Sequence, residues 1–251
     1  MPKNKALHLL LCGFFVLSIC PAAYSQWFFD GETGGAFSGY NNVQIPRDTG
    51  TAFSLSKDLD SDSTFFFRLR LGIQLGKRHT ISVFAAPLTI KAAGSVDTPI
   101  LFFEEDFPAD VPLTAVYRFN SYRLTYRYDL VRKERLRLGV GFTAKIRDAA
   151  IRVEGDGKES EKKNVGFVPL INFRLEWFFA KKLSLLLEGD ALAAPQGQGR
   201  AEDVLLAIRL HLSDKIALRA GYRILEGGAD VEEVYNFALI HFLTVGFTYS
   251  F

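Results

Sequence analysis

The chain has 251 residues, and its 30 lysines and arginines against 28 aspartates and glutamates give a formal net charge of +2. Lys3 and Lys5 account for this excess, so the rest of the chain is formally neutral and nothing predicts a nucleic acid partner. After residue 25, no apolar run approaches the ~20 residues of a membrane-spanning helix. With 23 Phe, 9 Tyr and 21 Gly, the composition favours either a soluble all-β domain or a β-barrel that faces lipid on alternate positions.

Residues 1–25 have the pattern of a secretory signal peptide. Lys3 and Lys5 supply the positive start, an apolar core follows, and Ala23-Tyr24-Ser25 forms a small-x-small cleavage site. We expect cleavage after Ser25, which leaves one domain over residues 26–251.

Both cysteines of the chain, Cys12 and Cys20, lie in this leader, so the mature protein would hold neither a disulfide nor a thiolate site. Two alternatives for the leader remain open. An uncleaved membrane helix is disfavoured because the apolar run is short and Pro21 interrupts its end. Lipid attachment at Cys20 is disfavoured because the bulky Ile19 precedes it, and it would change only the anchor.

A period-two alternation of apolar and polar residues recurs along the mature chain and predicts β-strands. From Phe65 to Leu75, for example, apolar side chains occupy the odd positions while Arg68 and Arg70 lie between them. The predicted strands cover residues 29–37, 65–75, 81–87, 117–130, 136–147, 167–177, 183–191, 204–212, 216–224 and 243–251. We therefore expect an all-β fold, a closed antiparallel transmembrane barrel of about ten strands (eight to twelve), with both termini in the periplasm.

The predicted connections alternate between short and long. Short turns are expected at 76–78, 132–135, 180–182 and 213–215. Long loops are expected at 40–62, 89–111, 154–164, 194–203 and 226–233. Bacterial barrels carry short turns on the periplasmic side and long loops outside.

Alternation alone does not say which face of the barrel is inside. A soluble antiparallel barrel has apolar residues inside and polar ones outside. A face with many arginines beside an unbroken Leu/Phe face is costly to pack as a soluble core, yet it suits a wet lumen behind a lipid-facing wall. The predicted lumen charge network is Arg68, Arg70, Arg123, Arg137, Arg174, Glu188, Asp190, Arg209, Arg219 and Arg223. The same face holds Glu32, Arg127, Lys145, Arg147 and Glu176.

Two interpretations of this network stay open. An excess of basic groups favours a pore for small anions, whereas a narrow lumen favours a plug of ion pairs. Within the network, Glu188 is expected to lie between Arg174 and Arg209. A belt of aromatic residues is expected at the periplasmic interface, formed by Tyr126, Tyr128, Trp177, Phe178, Tyr249 and Phe251.

The last strand alternates Leu243, Val245, Phe247, Tyr249 and Phe251 with small polar residues. This ending resembles the C-terminal assembly signal of Gram-negative outer-membrane barrels, in which a terminal Phe follows alternate apolar residues. The resemblance implies a small single-domain barrel in the outer membrane. Its partners would be outer-membrane lipid, lipopolysaccharide and the barrel-assembly machinery.

No catalytic residue, metal site or cofactor is predicted. His241 falls on the lipid-facing register near the outer interface, which resembles lipid-A deacylases, but Leu239 and Leu243 stand where their serine would be. The strand number resembles the omptin proteases, yet no histidine maps to the acidic loops, whose residues are Glu104, Glu105, Asp106, Asp110, Asp203 and Asp230. We expect a structural or narrowly permeable barrel with loops or a lumen open to a surface ligand or small anion; the alternative is a hydrolase of lipid A or peptides.

Overall fold

The computed structural model describes residues 25–193 and 198–251, and all its regular structure is β. In this part of the chain no helix is long and apolar enough to cross a membrane. The predicted leader lies outside the described residues except for Ser25, which begins the first strand. The strands are β1 (Ser25–Gln44), β2 (Phe53–Ser54), β3 (Asp60–Ser61), β4 (Thr64–Leu75), β5 (His79–Ala86), β6 (Thr89–Gly94), β7 (Ile100–Phe102), β8 (Glu105–Phe107), β9 (Leu113–Arg132), β10 (Leu136–Gly155), β11 (Lys158–Phe178), β12 (Leu183–Ala193), β13 (Gly199–His211), β14 (Ile216–Val231) and β15 (Val234–Ser250).

Ten antiparallel strands close into a barrel, as predicted; β5 and β6 together count as one of the ten. Strand β1 pairs with β15 on one side and with β4 on the other, and β9 joins β5 to β10. Strands β5 and β6 pair with β9 in one continuous register, so they form a single strand of the barrel. This strand is interrupted at Pro87, because proline has no N–H to donate. The short strands β2, β3, β7 and β8 belong to the loops and are not among the ten strands of the ring.

The outer wall is apolar and the inner wall is charged. Side chains such as Phe65 (90% exposed), Phe142 (70%) and Leu243 (62%) project outward. Arg68 and Arg123, which alternate with such residues, are buried inside. This polarity is that of a barrel in lipid, and it is the reverse of a soluble barrel.

The short connections gather at one end of the barrel, where the predicted aromatic residues also lie. Trp177 and Tyr126 are exposed on the outer wall there, and Phe251 donates its N–H to the Trp27 carbonyl over 2.9 Å. One expectation was wrong: Phe178 occupies an inward position of β11, with the Arg137 guanidinium 4.9 Å from its ring centre. It lines the periplasmic mouth and not the outer belt.

Two of the predicted long loops are extended strands. Residues 154–164 form the tip of the β10–β11 hairpin, with a tight turn at Asp156 (φ 50°) and Gly157 (φ 73°). Residues 226–233 likewise complete the β14–β15 hairpin. Strand β10 has 20 residues, about twice the ~9–11 that cross a bilayer. Its outer part rises into water, where no lipid imposes an apolar face, so the alternation ends although the pairing continues.

The extracellular half of the barrel is filled by its own loops. Residues from the β1–β4 and β6–β9 connections, among them Leu55, Leu59 and Ile100, are almost fully buried in one apolar cluster. Phe102 and Phe107, from the β7–β8 hairpin, are fully buried in it. These loops therefore occupy one side of the extracellular lumen, against β1, β4, β6 and β9.

Candidate functional site

A cluster of ion pairs crosses the middle of the lumen, and Asp203 is at its centre. Its carboxylate accepts hydrogen bonds from Arg68, Arg123 and Arg223, the last over 2.6 Å from Nη1 to Oδ1. These arginines come from β4, β9 and β14, while Asp203 lies on β13, so the contacts bridge opposite walls. We call the whole assembly the central cluster; its members are Glu32, Arg68, Arg123, Asp190, Asp203, Arg219 and Arg223, all buried.

Glu32 extends the central cluster toward β1. It accepts Arg223 Nε over 2.8 Å and Arg219 Nη2 over 3.0 Å. Arg219 also donates to Asp30 over 2.5 Å. Gly246 leaves space for this guanidinium, since a Cβ at that position would stand 2.7 Å from Arg219 Cζ. This small residue of β15 therefore makes room for an arginine of the neighbouring strand β14.

Asp190 closes the central cluster on the opposite wall. It accepts hydrogen bonds from Arg123 Nη1 at 2.6 Å, Thr143 Oγ1 at 2.6 Å and Asn172 Nδ2 at 2.8 Å. Buried carboxylates that receive this many donors are well compensated for the loss of water. The central cluster is thus a hydrogen-bonded network that spans the lumen, and its charges are mutually paired.

A second group of ion pairs lies nearer the periplasmic mouth. Glu188 accepts hydrogen bonds from Arg70 and Arg174, each over 3.2 Å. Glu176 accepts Arg174 and Arg209, also over 3.2 Å. The expectation that Arg209 would flank Glu188 was therefore wrong, because Arg70 fills that place.

The register explains this difference. Arg209 lies opposite Ser184, whereas Glu188 lies opposite Leu205, so Arg209 stands four residues nearer the periplasm. Arg70 projects from β4, on the other side of the ring, and reaches Glu188 because the lumen of a ten-stranded barrel is narrow.

Two acids of the lumen, Asp203 and Asp30, are absent from the predicted network. The predicted loop 194–203 included Asp203. The next inward positions, Leu205 and Ala207, are apolar, so the polar face does not continue from Asp203 to Arg209. Asp30, in phase with Glu32, could have been found from the alternation alone. These acids bring the lumen closer to charge balance than the sequence predicted. Of the predicted basic residues, Arg137 makes no ion pair with a described residue and stacks on Phe178.

The central cluster separates two cavities and lines neither. The periplasmic cavity has a volume of about 560 Å³ and polar walls that include Asp30, Arg70 and Glu176. The extracellular cavity has a volume of about 870 Å³ and lies between the folded loops and strands β10–β15. The basic residues Lys145 and Arg147, which were predicted to face the lumen, line this second cavity.

His241 faces outward near the extracellular side, on the lipid-facing register. Its ring lies 5.2 Å from that of Phe37 and its Nδ1 is hydrogen-bonded to the Tyr222 hydroxyl. No carboxylate of the described residues forms an ion pair with it, and the other described histidines, His79 and His211, lie near the periplasmic turns. Within these residues no group of three or more potential ligands could hold a metal ion. Within the described part of the chain, neither a deacylase-like site at His241 nor an omptin-like acid–histidine site is assembled.

The predicted assembly signal forms the outer face of β15. Leu243, Val245 and Phe247 are exposed there, and Tyr249 and Phe251 follow at the periplasmic end. Their Cα partners are on β1 and β14, so this last strand closes the ring. Their role in assembly stays a prediction.

No model of a known protein family matches the sequence, and no curated protein matches it. Solved structures do. The outer membrane protease OmpT of Escherichia coli is similar with a TM-score of 0.58 and 9% identity, over 90% of this chain and 97% of OmpT. The transport unit of the Escherichia coli autotransporter AIDA-I gives 0.48 and 10%, over 98% and 97% of the two chains. Ail of Yersinia pestis gives 0.41 and 8%, over 90% and 99%.

The chain has the fold of the small outer-membrane barrels of Gram-negative bacteria. At such low identity the likeness shows the fold alone, and the protease activity that the name of OmpT states is a property of that protein.

Proposed function

We propose that this protein is a closed outer-membrane barrel, exported by a cleaved signal peptide, whose lumen does not conduct and whose extracellular half is open to ligands. The single observation that carries this proposal is the position of the central cluster. Its members come from six of the ten strands of the ring and meet near mid-height through buried, mutually paired charges, and they line neither of the two cavities.

Closure follows from the energetics of that cluster. Breaking a buried ion pair by removing one partner costs about 3–5 kcal/mol, so thermal opening of several pairs at once would be rare. A lumen with a comparable set of unpaired arginines would instead attract anions. The proposal therefore favours the plug over the anion pore.

Conductance in planar bilayers tests closure. In 1 M KCl the wild-type barrel should show no steady current comparable with that of an open porin. The double variant Arg68→Ala, Arg123→Ala should show such a current, because it removes two side chains that cross the lumen. Arg152→Ala, on the exposed β10–β11 hairpin, is the matched control and should stay silent. Steady wild-type current with anion preference would overturn closure in favour of a narrow pore.

Insertion through the last strand is the second part of the proposal. Phe251→Asp should lower the outer-membrane level of the protein several-fold without changing its transcript, whereas Phe251→Tyr should keep it, because the exposed aromatic end of β15 is what the assembly machinery would bind. Equal levels of the two variants in isolated outer membranes would remove this part. Mass spectrometry of the mature N-terminus tests cleavage after Ser25.

A further inference from the structure

The extracellular cavity has the form of a small-molecule site. Its volume of about 870 Å³ falls within the ~300–1,000 Å³ that is typical of such sites. Its walls include Phe119, Ile151, Val168, Leu225 and Ile240, so that most of the surface offered to a ligand is apolar. Polar groups are few, and their placement would decide which ligand fits.

Lys145 is the polar group that stands out. It is only 2% exposed, it lines the cavity, and its Nζ lies 4.7 Å from the centre of the Phe119 ring. Among the described residues no carboxylate lies within ion-pair distance of it and no hydrogen bond engages its ammonium group. Burial of an ammonium group without an anion is costly, whereas every arginine of the central cluster below it has an acidic partner.

Arg147, two residues further along β10, adds to the positive charge of this wall. Its Nη2 donates to the Asn164 amide oxygen, its Nε has no partner, and no described carboxylate pairs with it. The inner wall of β10 thus presents two cations to the cavity without an anion between them.

Most acids that line the cavity are neutralised near its rim. Glu226 pairs with Arg200 over 2.7 Å, Asp230 pairs with Arg47 over 2.6 Å, and Glu233 pairs with Lys162 over 3.0 Å. These acids are therefore not available to Lys145. The cavity is positive at depth, apolar along its walls and nearly balanced at its opening.

We propose that this cavity binds a small organic anion, with a carboxylate at Lys145 and an apolar body along the walls. The inference rests on the proposed function, because a closed lumen makes the cavity a blind vestibule in which a ligand is held and not passed on. Arg147 would attract the anion toward Lys145, which supplies the charge-assisted hydrogen bond.

Binding of matched probes to the full mature barrel in lipid nanodiscs tests this site. 4-Phenylbutyrate should bind at least about tenfold more tightly than 4-phenylbutyramide in calorimetric titration, since a charge-assisted hydrogen bond contributes roughly that factor. Lys145→Met, which keeps the length of the side chain and removes its charge, should abolish the preference. Lys145→Arg should retain a preference, and Lys133→Met, in an exposed periplasmic turn, should leave it unchanged.

The site has a readout in stability as well. Lys145→Met should unfold at a urea concentration no lower than the wild type, because the variant no longer buries an unpaired charge. Equal binding of the two probes to the wild type, absence of saturable binding, or an undiminished preference in Lys145→Met would overturn the proposal; the first two need no variant to fold. A conducting barrel that still prefers the carboxylate would refute closure and leave the site, whereas a silent barrel without the preference would refute the site alone.

Discussion

The periplasmic and extracellular halves of this barrel share one outer wall and differ inside. Toward the periplasm the lumen holds paired charges, such as Glu176 and Glu188 with their arginines. Toward the outside it holds apolar side chains, of which Phe102 and Phe107 are fully buried. The inward positions of a single strand change accordingly: on β15, Thr244 lies in the polar half while Ala238 and Ile240 lie in the apolar half.

The difference shows what each wall is selected for. The outer wall faces lipid and must be apolar throughout its membrane-spanning height. The inner wall has no such requirement, and its chemistry depends on what fills the lumen. Where loops fold inward and exclude water, apolar residues are favourable; where no loop reaches, arginines and acids span the gap. The two halves should therefore respond to different substitutions.

The largest effect is expected from Asp203→Asn in the central cluster. The substitution keeps the shape and removes the charge that three guanidiniums share, so the free energy of unfolding should fall by about 3–5 kcal/mol. The urea midpoint of the refolded barrel measures it. Asp214→Asn, in an exposed periplasmic turn, is the matched control; equal midpoints for the two variants would mean that the central cluster does not stabilise the barrel.

A smaller loss is expected from Glu188→Ala, because its partners Arg70 and Arg174 are each about one-fifth exposed and keep some water, with side-chain exposures of 20% and 19%. About 2–3 kcal/mol lies between the values for buried and surface pairs. A double-mutant cycle should show coupling of Glu188 to Arg174 and little to Arg209. Stronger coupling to Arg209 would contradict the register of β12 and β13.

Much of the fold could be predicted because lipid imposes a period of two on the outer wall. The alternation from Phe65 to Leu75 survives intact for that reason. It fails at residues 154–164, where the β10–β11 hairpin stands in water and the backbone pairing continues without a lipid-facing wall. It also does not extend to Phe102 and Phe107, whose inward position depends on how a long connection folds back into the lumen.

Most charged residues of the lumen could be predicted, and so could the pair of Glu188 with Arg174 on the neighbouring strand, but the pairs that cross the ring could not. Arg70 and Glu188 lie on the predicted inward faces, yet they meet across the ring, 118 positions apart in the chain. Such a contact depends on the stagger of the strands around the barrel, which no single strand encodes. Asp203 was missed for a local reason, since Leu205 and Ala207 made its strand appear to begin later than Gly199.

In the apolar extracellular half, Ile100→Val should lower the free energy of unfolding by about 0.5–1.5 kcal/mol, because it removes one methylene from a well-packed cluster. Ile100 is 1% exposed, whereas the lipid-facing Ile208 is 55% exposed to its surroundings. Ile208→Val is therefore the control, and its midpoint should change less. A larger effect at Ile208 would mean that the loops contribute little to the stability of this half.

The smallest effect is expected at the tip of the β10–β11 hairpin, where an ion pair resembles those of the lumen in chemistry and differs in its surroundings. Arg152 Nη1 lies 3.1 Å from Glu154 Oε1, and the side chains are 39% and 40% exposed. Water already solvates both charges, and salt screens what attraction remains. Glu154→Gln should therefore change the free energy of unfolding by no more than about 0.5 kcal/mol, and by less in 1 M NaCl. Since Glu154→Gln and Asp203→Asn both turn a carboxylate into an amide beside an arginine, the ratio of their effects isolates burial from charge. Similar losses at the two positions would refute the distinction between a solvated rim and a sealed lumen.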